Sequence, residues 1–435
     1  MEPIKDTRPD DFEGTFPGRD LLNGTVALRG ASAPEALDQS PTGAPSGTVW
    51  LYIGTYTGAP AAFGSNGMGI YLCELSLSTG KLTVLRLVAP VVTMGMISTG
   101  SPSTLALDPT RTHLYAGNEI GPPGAVSAYS INRQTGDLKL LNIQPTKGAA
   151  AFVSVDHKGK YLFAAEYTGG YFEAFPISAV DGSLGSEVFQ QSDPTNDGVM
   201  HATNAPPGSF AISAHEANGT GHPHQMEAEP SNKWVLGSDA GQDRIYVWEL
   251  TPGATPPLTP AKTAFVNVPP GDGPRHFAFH PNGVWMYSIQ EEASAIMFWH
   301  FDPATGALSQ QQIISSVPPG FAGTDFTSEI RVSADGNFVY GANRTSDTIG
   351  VFSIGHDGSL SQVSHASTLG DYPRIFTIDP TGQFIAVGNQ RADNVTTFKI
   401  DRGEGQGNSG QGPGSLTFTG NYTPVGSPSG MVFLA

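Results

Sequence analysis

Cysteine is almost absent from this chain: Cys73 is the one thiol in 435 residues, so no internal disulfide can staple the fold. It lies in the apolar run Ile70-Tyr71-Leu72-Cys73 and reads as a small buried hydrophobe. Positive charge is scarce as well. Lys and Arg number 22 against 39 Asp and Glu, and the net charge of −17 opposes general binding to nucleic acid or to an anionic membrane. No stretch approaches the ~20 apolar residues of a spanning helix, and Met1 to Gly14 is too polar for the apolar segment of a secretory signal. A cytoplasmic monomer is expected, with neither nucleic acid nor membrane as partner. Sequons at Asn23, Asn218, Asn343, Asn394 and Asn421 suit the alternative, a secreted chain whose signal has been removed.

Whole chemistries lack their residues too. There is no Gly-x-Ser-x-Gly elbow, and Cys73 has no obvious partner base, which disfavours covalent catalysis by Ser or Cys. His215-Glu216 precedes His222-x-His224 by a short loop, but no recognised zinc spacing is formed, so neither a metal nor another cofactor is expected. Gly403 to Gly414 has the letters of a phosphate loop without a strand-then-helix context, and reads as a surface loop.

What the sequence has in quantity is turn chemistry. With 54 glycines and 35 prolines, it reads as many short strands joined by tight turns. A long-period repeat follows. A pair of apolar strands runs through Leu105-Ala106-Leu107-Asp108-Pro109 into His113-Leu114-Tyr115, and recurs at Asp156, Glu229, His280, Ser333 and Asp379. Gly159, Gly283, Gly336 and Gly382, with Asn232, stand three positions beyond these anchors, where a positive φ is tolerated.

An independent marker, Gly-x-Leu, opens an outer strand at Gly80, Gly136, Gly182, Gly306, Gly358 and Gly414, with a degenerate copy near Gly253. The outer turns exceed the inner ones by one. Val49 to Thr55 starts with a strand of the second type, and Ser429 to Leu434 has the character of the missing inner strand. The prediction is an all-β, seven-bladed β-propeller over residues 48–435, its first blade completed by the C-terminal strand so that no open edge remains. Residues 1–47 lie outside the repeat and are expected to be a flexible extension. Surplus chain at about residues 186–220 is the candidate lid.

In a four-stranded antiparallel blade the start of the inner strand and the end of the second strand share one end of the disc. The last residues of the second strands are Thr55, Asn118, Glu166, Asp239, Gln290, Asn343 and Asn389. The next residues include Tyr56, Glu119, Tyr167, Glu291 and Arg344. Inner strands enter through His222-Pro223-His224-Gln225, Gly273-Pro274-Arg275-His276, Ser328-Glu329 and Pro373-Arg374. His224, Arg275, Glu291 and Arg344 come from three neighbouring blades and are the candidate catalytic residues. His222, Glu119, Glu166, Asp239, His276, Glu329, Arg374 and Asn389 are the candidate substrate-binding residues. Arginines suit an anionic or carbonyl group, and His or Glu carries protons.

On these residues the sequence resembles the lactonase family of seven-bladed propellers, which contains propeller-type 6-phosphogluconolactonases and fungal 3-carboxy-cis,cis-muconate lactonizing enzyme. The most specific pieces are Trp50-Leu51-Tyr52-Ile53-Gly54-Thr55-Tyr56-Thr57, His222-Pro223-His224-Gln225 with Asp239-Ala240-Gly241-Gln242-Asp243-Arg244, and Gly273-Pro274-Arg275-His276 followed by Glu291. The resemblance implies acid/base and substrate-binding roles for His224, Arg275, Glu291 and Arg344, and a small lactone or organic acid as substrate. The leading expectation is lactone hydrolysis, with an arginine on the oxyanion. A muconate-type cycloisomerase on the same residues and a non-catalytic binding disc are the alternatives. The family's third blade usually reads Ala-Asn-Tyr where this chain has Ala165-Glu166-Tyr167, and a carboxylate facing the mouth would repel a phosphorylated substrate.

Overall fold

The computed structural model describes residues 43–58, 65–192, 221–322, 325–403 and 412–435. Apart from residues 43–47 and 186–192, the expected extension and lid lie outside the described residues, and so does most of the Gly403 to Gly414 stretch. Phe189–Ser192, inside the expected lid, is instead the outer strand of blade 3.

Seven four-stranded antiparallel sheets form the ring. In blades 1 to 7 the inner strands are Pro428–Leu434, Pro102–Leu107, Ala149–Val155, Pro223–Ala228, Pro274–Phe279, Ile330–Val332 and Pro373–Ile378. The second strands are Thr48–Thr55, His113–Asn118, Tyr161–Thr168, Trp234–Asp239, Trp285–Gln290, Phe338–Asn343 and Phe384–Asn389. These second strands are packed on both faces, so they read as nearly continuous apolar runs, whereas outer strands such as Leu82–Pro90 alternate with solvent. The ring closes as the sequence implies. Trp50 pairs with Leu434, Tyr52 with Val432 and Ile53 with Met431, joining the two ends of the chain in blade 1.

Apolar side chains from neighbouring blades form one cluster at each of the seven junctions. Between blades 3 and 4, Phe172, Met226 and Trp248 are almost wholly removed from water, each burial contributing about 1.5–3 kcal/mol. Hydrogen bonds latch the same junctions. Tyr52, Tyr115, Tyr287 and Tyr340 donate their buried hydroxyls to the carbonyls of Gly136, Gly182, Gly358 and Gly414 on the next blade, at 3.0, 2.9, 2.8 and 3.1 Å. This accounts for the glycine of the outer marker. At Gly358, where φ is +87°, an added Cβ would sit 2.2 Å from the Phe298 ring.

The inner turns owe their recurring acidic anchor to backbone donors. Asp379 Oδ1 accepts from the amides of Gln383 and Phe384 at 2.8 and 2.6 Å, and Asp156 and Glu229 serve the equivalent amides in their blades. The third position is left-handed in all six turns, including Arg111 at φ 56°.

Candidate active site

Each inner strand begins with a β-bulge. In blade 4, Pro223 pairs with Asp239 and Gln225 with Ser238, leaving His224 as the extra residue. Arg275 and Arg374 occupy the same place in blades 5 and 7. Small residues fill it elsewhere: Ser429, Ser103 and Ala151 in blades 1 to 3. In blade 6, Ser328 donates to and Glu329 accepts from the single residue Ala342, which is the same two-against-one arrangement. A bulge re-aims a side chain next to a site. Here it turns one imidazole and two guanidiniums toward the centre of the disc.

Above this ring lies a cavity of about 190 Å³, lined by Tyr56, Glu119, Tyr167, His224, Glu291, Glu292, Phe326, Arg344, Tyr372 and Arg374. Below it, a central channel of about 320 Å³ takes in Arg275, His276, Glu329 and Arg374 among its lining residues. Of the four candidate catalytic residues, His224, Glu291 and Arg344 therefore meet at the mouth, while Arg275 approaches from the channel side.

Glu291 is the electrostatic hub. Its Oε1 accepts from Arg344 Nη2, and Arg275 Nε lies 3.4 Å from its Oε2. Burial alone would raise the carboxyl, yet Arg344 and Arg275 together hold it below the usual carboxylate range. Glu291 is thus an anion that orients two guanidiniums, and not a proton donor. Arg344 is fixed further by donating to the Phe326 carbonyl and by stacking 5.0 Å from the Tyr372 ring centroid. Arg374 reaches the Glu119 carboxylate at 3.2 Å, and Glu119 also accepts from the Tyr56 hydroxyl.

His224 is 3% exposed. Burial, then the neighbouring Arg275, His276 and Arg374, push its pKa well below the ordinary histidine value, so the imidazole is neutral at physiological pH. Its Nδ1 accepts no hydrogen bond from another described residue. Tyr167 and His276 pack edge-on against the ring, with centroids 5.5 and 5.0 Å away.

The other sequence candidates fall into three places. His222 lies under the mouth wall, its ring 4.6 Å from Tyr167 and its Nδ1 2.8 Å from the Tyr167 carbonyl oxygen. His276 and Glu329 face each other in the central channel at 3.3 Å, with Arg331 3.3 Å from the same carboxylate. Burial and Arg275 lower His276 to about 4, whereas Arg331 and His276 overcome burial to hold Glu329 at about 2. Glu166, Asp239 and Asn389 belong to the ring of second-strand ends, which is not an exposed floor: all seven of its members are fully buried inside the blades. Asp239 accepts from the amides of His222, Gly241 and Gln242, and Asn389 donates to Asn394 and Thr396. Asn343, also in this ring, spends its amide on Ser316 and Thr348, leaving it no access for a glycan.

Glu166 corrects the expectation of a repelling carboxylate at the mouth. It accepts from the Gly148 amide and is hydrogen-bonded to Glu173 on the third strand, where blade 2 pairs Asn118 with Ser127. Burial, and for Glu166 the adjacent Glu173, push both carboxyls up, so the pair retains a proton at neutral pH. The unfolded chain releases that proton above about pH 4.3. The folded pair's contribution is therefore fully present below that pH and is lost as pH rises through its elevated pKa. Glu166→Gln supplies the proton permanently as an amide. It is expected to raise the Tm by about 2–5 °C at pH 8 and to change it little at pH 4, and equal shifts at both pH values in thermal denaturation would contradict the shared proton.

Glu292, Phe326 and Tyr372 line the cavity but escaped the sequence reading. Tyr372-Pro373-Arg374 shares its phase with Gly273-Pro274-Arg275, and this signal alone would have found Tyr372. Among the described residues, no helix is long and apolar enough to cross a membrane.

A closed ring whose bulges place His224 and Arg374 on the wall of a pocket at one mouth defines a seven-bladed propeller with a candidate site at that end. The family model described as lactonase, 7-bladed beta-propeller, matches residues 50–433, and the chain belongs to that family. A 6-phosphogluconolactonase of Bacillus subtilis is 32% identical over 357 residues, covering 82% of this chain and 92% of that one. A 6-phosphogluconolactonase of Pectobacterium carotovorum is 30% identical over 306 residues, covering 70% and 82%. Among solved structures, a periplasmic gluconolactonase of Pseudomonas aeruginosa superposes with a TM-score of 0.75 at 27% identity, covering 89% of this chain and 99% of that one.

Proposed function

We propose that this protein hydrolyses a sugar-type lactone in the mouth cavity, with His224 as the proton carrier. The observation that carries this reading is the buried, neutral imidazole of His224 on the wall of a cavity shared with Arg344 and Arg374. Water adds to the lactone carbonyl as His224 takes its proton. The guanidinium N–H groups of Arg344 and Arg374 stabilise the oxyanion and afterwards the carboxylate. Glu291, clamped as an anion, keeps Arg344 and Arg275 in place. The imidazolium then returns the proton to the ring oxygen as the carbon–oxygen bond breaks, and the product hydroxy acid ionises to release one proton.

Glu166 is no obstacle to a phosphorylated lactone, because it carries no charge into the cavity, and Glu119 and Glu291 are each paired with arginine. The test is a pH-stat assay with glucono-δ-lactone and its 6-phosphate ester, beside an ultraviolet assay for loss of a conjugated diacid. Base uptake above the spontaneous rate is expected for the lactones. Consumption of the diacid without lactone opening would replace hydrolysis by cycloisomerisation.

A further inference from the structure

The residue two positions before each bulge forms a second ring around the mouth: Ser427, Ser101, Ala149, His222, Gly273, Phe326 and Tyr372 in blades 1 to 7. Its backbone is left-handed in five blades, with φ of 43° at Ser427, 47° at Ser101, 65° at Gly273, 53° at Phe326 and 64° at Tyr372. Glycine suits that conformation, whereas an aromatic residue is strained in it. Surrounding hydrogen bonds hold the strain in place. The Tyr372 amide donates to Asp347 Oδ1 at 2.8 Å. Beside Phe326, the Asp325 carboxylate accepts from the amides of Thr345 and Ser346 at 2.9 and 3.1 Å.

The Phe326 ring gives the fold little in return. It is half-buried, belongs to none of the seven junction clusters and stacks on no ring of another described residue. It does line the cavity that holds His224 and Arg344, and its own carbonyl fixes Arg344. Strain kept without packing gain marks a functional position.

We propose that Phe326 is a specificity-determining residue that seats the C–H face of a polyhydroxylated lactone ring, with Tyr372 continuing this wall from the next blade. Tyr56, Glu119 and Glu292 also line the cavity and offer hydrogen-bonding groups to the hydroxyls of such a ring. This inference rests on the lactonase reading, and its test separates the two.

In Phe326→Gly, the KM for glucono-δ-lactone is expected to rise about tenfold or more, while the Tm stays level or increases because glycine relaxes the left-handed backbone. Phe326→Tyr should keep KM within about twofold of wild type. Calorimetry with glucono-δ-lactam, which keeps the ring and resists hydrolysis, reads the same subsite without turnover, and Phe326→Gly should weaken that binding about tenfold. An unchanged KM and lactam affinity in Phe326→Gly, or a fall in Tm alone, would overturn the proposal and leave the lactonase reading standing. If the wild type opens no lactone but lactam binding still depends on Phe326, the lactonase reading fails and the subsite stands. If the wild type neither opens lactone nor binds the lactam, both fail.

Discussion

Replacing His224 with alanine is expected to lower kcat/KM for a sugar lactone by about 10²–10⁴-fold, the usual loss when a positioned proton carrier is removed. The fold should survive, because the Pro223–Ala228 ladder and the junction cluster around Met226 do not depend on the imidazole. Stability carries an independent signature. The folded-state pKa of His224 is depressed, so below about pH 6.5 the unfolded chain takes up a proton that the folded chain refuses. Wild-type stability then falls by about 1.4 kcal/mol per pH unit for this group as pH drops below that value. His276, lowered to about 4, acts with the same sign and is retained in the variant. The Tm of His224→Ala relative to wild type should accordingly rise between pH 7.5 and pH 5, read by thermal denaturation beside the kinetics. A variant with full activity, or a Tm difference independent of pH, would remove His224 from the role given to it.

Glu291→Gln is expected to cost about 3–5 kcal/mol of stability, because it strips the counter-charge from two guanidiniums that stay buried. Arg275 is 1% exposed and Arg344 4% exposed, and Arg275 has already been lowered to about 10 by burial despite Glu291 beside it. Without the carboxylate, Arg344 keeps its contacts to the Phe326 and Thr327 carbonyls, but the single amide oxygen of glutamine gives only a neutral hydrogen bond and the NH2 group repels the second guanidinium. A fall of about 10²-fold in kcat/KM should follow from the misplaced guanidinium. Urea denaturation and steady-state kinetics on one preparation check both effects. Wild-type stability in Glu291→Gln would show that the two-arginine clamp does not hold the mouth together.

The ring was legible because its markers are local chemistry repeated from blade to blade. Asp108, Asp156, Glu229 and Asp379 bind turn amides, and the Gly136, Gly182, Gly358 and Gly414 carbonyls receive a tyrosine from the preceding blade. The site was legible in its blades and less so in its depth. Counting to the end of the second strand lands on Thr55, Asn118 and Asn389, which are fully buried; the cavity begins one residue later, at Tyr56, Glu119 and Glu291. A bulge adds a residue to one strand and changes which side chain faces the axis, and no period-two count reveals it. That is why His224, Arg275 and Arg374 point inward together while His276 and Glu329 meet lower in the channel. Glu166 could not be read singly, because burial inside the blade and the partner Glu173 on another strand together make it neutral. Phe326 was hidden because Phe326-Thr327-Ser328 lacks the proline that marks the equivalent entries Gly273-Pro274 and Tyr372-Pro373.

The central claim is that the mouth cavity opens a lactone with His224 moving the proton. The most direct measurement is the pH dependence of kcat/KM for lactone opening by the wild type, followed spectrophotometrically with the spontaneous rate subtracted. The depressed pKa of His224 predicts a rate that stays level from neutral pH downward through pH 6.5 and fails only at a distinctly lower pH. An acid limb centred near 6.5, the value of a solvated imidazole, or no enzymatic rate above the spontaneous one, would contradict it.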